Sequence, residues 1–404
     1  MGITRISLLG HKDHGKSTLI GNLLIATNSV TEQRINDAKK TSKKLGRQFE
    51  PGYILDSFVE ERENEMTIDT TRAQIRYKDS GFEFIDVPGH EELIKNMISG
   101  ASYADFAVLI VSAKPGEGIK DQTRRHLFLA RMLGMKKVII AVNKMDTVGY
   151  GEKEFSRISR ELSVFLVKIG FSGSGMHFVP ISAYLNENLV KKSGKMRWYK
   201  GDSLIETMYS IAEEPNRSAG KKLRVVLQGR LEDGSIEKIA GKIISGTLRS
   251  NMKVNMVPGS AYVIKELFVK GKKSGSARRG ENVAIVFDKK INGEARGRIL
   301  CGEKDGFKAS NSINALVFFT SKLVRKPMIR LNGLEVSAKM KVKNSVSVVT
   351  GEAEPKKEIT KLGAANVELL LSGKVPSEPF DDTPELGRFV LYDGNEFAGI
   401  GIIN

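Results

Sequence analysis

Gly10-His11-Lys12-Asp13-His14-Gly15-Lys16-Ser17 lies between an apolar run, Ile3 to Leu9, and a helix-forming stretch, Ser17 to Ala26. The spacing is glycine, four residues, glycine, lysine, hydroxyl, which is the order found where a strand turns into a helix around a chain of phosphates. Backbone N–H groups at such a turn point at anionic oxygen, because the first N–H groups of a helix have no intrahelical acceptor. Residues Gly10 to Thr18 are therefore expected to line a nucleotide's phosphates. Lys16 should reach the β- and γ-phosphates and the Ser17 hydroxyl should bind Mg²⁺.

Outward from this loop, apolar strand patterns recur at 82–87, 106–112, 137–143 and 177–182. Helix-length segments such as 121–133 and 152–169 separate them, so the first half reads as a parallel sheet covered by helices. Past Pro215 the texture changes to short β-rich runs at 223–228, 240–244, 262–269, 283–287 and 313–319, broken by glycines. That rhythm predicts small β-barrels. The fold class expected is an α/β P-loop domain followed by two β-barrel domains, divided as 1–215, 221–305 and 311–404.

Composition narrows the function. A chain of 404 residues exceeds what one hydrophobic core supports, and no apolar stretch approaches the roughly 20 residues of a membrane span. Met1 to Arg5 run straight into strand pattern, so neither leader nor membrane anchor is expected and the location read from the sequence is cytoplasmic. The single cysteine, Cys301, excludes an internal disulfide framework. Histidines at 11, 14, 90, 126 and 177 have no zinc-ligand spacing, which leaves phosphate as the place for a metal. A net charge of +17 and a pI near 9.6 favour an anionic partner, nucleic acid first.

Three further segments specify the nucleotide. Asp86-Val87-Pro88-Gly89-His90 closes a buried strand, with Asp86 as the second magnesium ligand and the Gly89 N–H toward the γ-phosphate. Asn143-Lys144-Met145-Asp146 follows the strand Val138 to Val142 and resembles the guanine-reading box of GTPases. A carboxylate at Asp146 accepts from the guanine N1–H and exocyclic amine, which adenine cannot offer. Ser182-Ala183 then supplies a backbone N–H for guanine O6, making GTP, with GDP as product, the expected ligand.

In this order the boxes resemble the translational GTPases, and most specifically the elongation factor 1-alpha branch. Glu61 to Asp69 resembles that branch's effector segment, which implies that Thr67 closes onto Mg²⁺ and the γ-phosphate. Met196-Arg197-Trp198-Tyr199-Lys200-Gly201 and the ending Leu386-Gly387-Arg388-Phe389 carry the resemblance to the rest of the chain. It implies that His90 orients the attacking water, that hydrolysis is slow until a partner accelerates it, and that Lys16 and Thr67 share the catalytic work. It also implies the ribosome as partner, together with tRNA or a tRNA-shaped release or rescue protein, a nucleotide exchange factor, and a monomer when free.

Some positions depart from the branch. Lys12 replaces an apolar residue that shields the water from His90, and Asn64-Glu65 replaces an Arg-Gly pair before the switch. Where carriers of aminoacyl-tRNA have a Gly-x-Gly-Thr-Val-like strand, this chain reads Glu232 to Gly241, which tilts the reading toward release or rescue relatives. Basic clusters at Lys39, Lys40, Lys43, Lys44 and Arg47, at Lys270, Lys272, Lys273, Arg278 and Arg279, at Lys322, Arg325 and Lys326, and at Lys339, Lys341 and Lys343 suggest a phosphate-backbone footprint. For the last cluster, protection of a strand edge by lysine is the competing reading. A second function stays open at this point: Thr123-Arg124-Arg125-His126 and Gly89-His90-Glu91 also resemble the GTPase subunit of sulfate adenylyltransferase.

Overall fold

A computed structural model describes residues 3–44, 49–54, 72–86, 104–214, 222–231, 237–321, 324–355 and 358–404. The chain divides into two compact units: Met1–Glu214 with Val348–Glu352, and Pro215–Ser347 with Ala353–Asn404.

The first unit is a six-stranded sheet. Its strands are β1 (Ile3–Gly10), β2 (Arg72–Tyr77), β3 (Ser80–Asp86), β4 (Phe106–Ser112), β5 (Val138–Asn143) and β6 (Met176–Pro180), in the spatial order β2-β3-β1-β4-β5-β6. β4 and β5 are buried along their whole length, as continuous apolar runs between two helical layers require. The helices are Lys16–Ala26 (α1), Glu32–Lys44, Asp121–Met132, Glu152–Lys168 and Leu204–Glu213 among the described residues. β1 has β3 on one side and β4 on the other, both parallel to it, so the chain order reverses at its carboxyl end. A crevice for ligand opens at such a switch point.

One strand departs from the parallel-sheet expectation. β2 runs antiparallel to β3 through a two-residue turn at Lys78-Asp79, where Lys78 has φ of 54°. Its buried positions, Ala73 and Ile75, alternate with exposed Gln74 and Arg76. Only one face of an edge strand needs apolar side chains, and so short an alternation carries little signal beside the fully buried β4 and β5.

The second unit holds two closed barrels. In the first, strands Lys253–Val257, Ile299–Gly302, Arg224–Leu231, Lys238–Ser245, Asn282–Phe287 and Ala261–Val269 pair in that order, and the last returns to the first. In the second, Pro327–Leu331, Arg388–Asp393, Glu396–Ile403, Ala309–Phe319, Ala364–Pro376 and Leu334–Val346 close in the same way. Alternate residues fill each interior: Val225, Leu227, Ile264 and Ile285 in one, Val317, Phe319, Val367 and Leu369 in the other. Lys339, Lys341 and Lys343 project outward from a stretch whose described pairing is to Ala364–Pro376 alone, the pairing to Pro327–Leu331 ending at Ser337. The lysines thus stand on an edge while also presenting cations in one direction. Lys273 and Arg279 are partly neutralised by Glu266 at 2.5 Å and Glu385 at 3.2 Å, whereas Arg47 and Lys322 lie outside the described residues.

A buried charge cluster joins the barrels. Arg224, 2% exposed, donates from Nη1 and Nη2 to Asp305 at 2.7 and 3.0 Å and from Nε to Glu378 at 2.9 Å, and its guanidinium lies 4.5 Å from the Phe307 ring centre. Removing one partner of a buried charge group leaves the others uncompensated, which costs about 3–5 kcal/mol. Arg224→Met is therefore expected to lower the unfolding free energy of the barrel unit by about that amount, read from the shift of its denaturant midpoint. A change below about 1 kcal/mol, followed by tryptophan-independent circular dichroism, would show that the cluster does not brace the barrels.

Candidate functional site

The site forms where β1, β5 and β6 end. β1 stops at Gly10, a single 3₁₀ turn covers Lys12–His14, and Gly15 with φ of 91° leads into α1. His14 is 1% exposed, with Nδ1 3.3 Å from the Ile110 carbonyl. Burial drives its pKa down to about 4, so the loop carries a neutral imidazole at physiological pH. The His11 Nδ1 accepts from the Asp13 N–H at 3.4 Å. Lys16, 6% exposed, donates from Nζ to the Gly10 carbonyl at 2.8 Å and the His11 carbonyl at 3.2 Å, so its ammonium lies across the loop it anchors. Ser17 and Thr18 occupy the first turn of α1, Ser17 exposed.

Residues 143–146 and the Ser182-Ala183 turn are tied to this loop by one side chain. Asn143, 2% exposed, donates from Nδ2 to the His14 carbonyl at 2.8 Å and accepts at Oδ1 from the Ala183 N–H at 2.8 Å. Asp146 follows in a 3₁₀ turn, where the Ser182 hydroxyl donates to its Oδ1 at 2.5 Å and fixes the carboxylate's rotation. The Ser182 N–H donates to the Glu187 carbonyl at 3.1 Å. Both N–H groups of Ser182-Ala183 thus have acceptors inside the protein, a finding the expectation of an N–H reserved for guanine O6 did not include. The reason is Asn143: held by His14, it presents its amide oxygen to that turn.

Gly15 makes the closeness of the two boxes quantitative. A Cβ there would lie 2.6 Å from Asn143 Nδ2, and φ of 91° disfavours any other residue independently.

The structure brings Gly10 to Thr18, Asn143, Lys144, Asp146, Ser182 and Ala183 to one end of the sheet. Asp86 ends β3 beside Leu8 of β1, two residues before Gly10, with its backbone alone described. Thr67, Gly89, His90 and the side chain of Lys12 lie outside the described residues, as does the segment Glu61 to Asp69. Sequence reading missed Asn22, whose Nδ2 donates to the Ala183 carbonyl from α1. It also missed Glu117, which accepts from Lys144 Nζ at 2.6 Å. A polar residue on the inner half of α1 was the only signal for the first, and the Gly116-Glu117-Gly118 sequence the only one for the second.

Comparison with known proteins places this geometry. Residues 1–214 match the Elongation factor Tu GTP binding domain, and residues 321–404 match the GTP-eEF1A C-terminal domain-like family. Fold and site together define a GTPase: a P-loop domain that hydrolyses GTP, followed by two β-barrels. Elongation factor 1-alpha of Aeropyrum pernix is 32% identical over 419 residues, covering 98% of this chain and 95% of that protein. The same factor of Pyrobaculum calidifontis is 34% identical over 417 residues, covering 98% and 93%, and that of Archaeoglobus fulgidus 31% over 415, covering 98% and 96%. The chain belongs to the translational GTPases of the elongation factor 1-alpha family. Among solved structures it is similar to sup35 complexed with GDP, at a TM-score of 0.43 and 23% identity, covering 99% of this chain and 93% of that one.

Gly15→Ala should leave the fold intact yet weaken GDP binding by roughly 100-fold or more, since the methyl must displace Asn143 from the loop carbonyl it holds. Equilibrium titration with GDP checks this; affinity within threefold of the parent would mean that Asn143 yields without consequence.

Proposed function

We propose that the chain is a ribosome-associated switch whose GTP hydrolysis controls delivery of tRNA or of a tRNA-shaped release or rescue protein. The observation that carries the reading is the Asn143 bridge, which joins a phosphate loop to a carboxylate placed to read guanine. Asp146 accepts from the base, the Ser182-Ala183 turn closes over it, and Gly10 to Thr18 cradle the phosphates. The departure at Glu232 to Gly241 favours the release or rescue cargo over aminoacyl-tRNA. We place the domain limits at 1–215, 221–305 and 311–404, a division supported by barrel strands running from Arg224 to Gly302 and from Ala309 to Ile403. A cytoplasmic monomer served by an exchange factor completes the reading, and no helix among the described residues is long and apolar enough to cross a membrane.

The donor set at the phosphate end fits magnesium. Ser17 offers an exposed hydroxyl at the helix start, and Asp86 belongs to the strand beside the loop, so the protein donors are hard oxygens with Thr67 as third. When bound, Mg²⁺ would neutralise charge on the β- and γ-phosphates. The chain's own residues do the rest: Lys16 carries a cation to the phosphates, α1 directs its N–H groups at them, and His90 orients the attacking water. Because such catalysis is positioning and electrostatics, a partner that moves one group into place changes the rate by orders of magnitude.

GTP turnover by the purified protein is expected to rise roughly thirtyfold or more when ribosomes from the same source are added, a barrier reduction of about 2 kcal/mol. His90→Ala should abolish that rise while GTP affinity stays within about twofold, and equal stimulated turnover in the variant would remove His90 from the mechanism. Asp146→Asn should move preference from guanine to xanthine nucleotides. Unchanged GTP affinity in that variant contradicts the base-reading role.

A further inference from the structure

Lys144 stands between Asn143 and Asp146 with φ of 62°, and its ammonium is held from a different loop. Nζ donates to Glu117 Oε2 at 2.6 Å, while Lys114 Nζ lies 3.2 Å from Glu117 Oε1. The Ser112 hydroxyl at the end of β4 donates to the same carboxylate, and that hydroxyl oxygen accepts the Lys114 N–H at 3.1 Å. Partial burial opposes the charge on Glu117, yet Lys144, Ser112 and Lys114 together bring its pKa down to about 2. The carboxylate is therefore ionised throughout the physiological range.

The turn that carries Glu117 is shaped for this placement. Gly116 and Gly118 have φ of 84° and 39°, and a Cβ at either would meet nothing within 4 Å, so backbone conformation alone calls for glycine there. The Glu117 N–H donates to the Lys114 carbonyl at 3.1 Å and Lys120 Nζ to the Gly116 carbonyl at 2.7 Å, closing the turn on itself. Glu117 and Lys144 keep 23% and 26% of their side-chain surface, so little of the fold's stability depends on the pair. What the pair does fix is the flexible four-carbon stem of a lysine inside the base-reading box. Rotamer freedom removed before a ligand arrives is not lost again on binding.

We propose that Glu117 is a positioning residue for the guanine nucleotide, anchoring the head of Lys144 so that its methylene stem is preset beside the base. Glu117 touches no part of the nucleotide and acts through Lys144 alone. This rests on the guanine-box reading above and extends it to the loop after β4, so that loop governs how long a nucleotide stays bound. The hydrolytic step does not involve it.

The test is dissociation of N-methylanthraniloyl-GDP and -GTP, followed by fluorescence on the full chain. Glu117→Gln, which keeps the size and removes the charge, should raise both off-rates roughly tenfold, with kcat at saturating GTP within about twofold and KM increased. Glu117→Asp should recover part of the loss. Lys114→Ala, which leaves the Lys144 contact in place, should stay within about twofold of the parent. In a Lys144→Ala background, Glu117→Gln should add less than about twofold, because the contact it removes is already gone. Parental off-rates in Glu117→Gln overturn the proposal, and so does an undiminished effect in the Lys144→Ala background. Xanthine preference in Asp146→Asn, measured alongside, separates the two levels: if it shifts and Glu117→Gln does nothing, the base box stands and only the positioning role fails.

Discussion

The Asn143 carboxamide is bonded at both ends, to the His14 carbonyl and to the Ala183 N–H, and the first unit is organised so that these three residues meet. His14 follows β1, Asn143 ends β5 and Ala183 follows β6. A parallel sheet delivers the carboxyl ends of all its strands to one edge, so residues far apart in sequence converge without any of them having to be near neighbours in the chain. The surroundings conform to that meeting point. Gly15 has no room for a side chain beside Asn143, and β4 and β5 are apolar throughout because helices cover both faces of the sheet that aims them.

A second layer of polar contacts steadies the first. Asn22 holds the Ala183 carbonyl from α1, Ser182 orients Asp146, and the Trp198 indole donates to the Tyr150 carbonyl at 2.8 Å just beyond the base box. The first and the last pair a backbone carbonyl, a group that costs roughly 1–3 kcal/mol when it is buried without a partner, and the Ser182 contact joins two side chains. The Met196 to Gly201 segment, which the sequence marked only by resemblance, thereby has a physical role. It packs Trp198 and Tyr199 against Phe155 at the start of the helix Glu152–Lys168.

Much of this was legible from residue order. The phosphate loop announces itself because glycine, lysine and hydroxyl are needed at fixed spacing, and β4 and β5 because a strand covered on both faces is apolar at every position. β2 was not legible, since a half-covered edge strand needs only Ala73 and Ile75, too few to stand out between Arg72, Gln74 and Arg76. Asn22 and Glu117 were invisible for another reason. Their roles arise from distance in space, across 161 and 27 residues of chain, and no local periodicity encodes a partner so remote. Of the barrel strands, those near 223–228, 240–244, 262–269, 283–287 and 313–319 were readable as short β-rich runs, but not the others, nor the closure of each ring, which depends on pairing between strands whose order in space differs from their order in sequence.

Arg224, Asp305 and Glu378 hold the barrels together through charge that is almost wholly out of water, in a chain carrying +17 overall. Ionic strength acts on those two kinds of charge differently. Salt at about 1 M shrinks the reach of exposed cations to roughly 3 Å, and it scarcely touches a pair from which solvent is excluded. A concentrated salt wash would accordingly weaken any contact made through exposed cations while leaving the two barrels locked as one body, and the surface geometry would be the same when the salt is withdrawn.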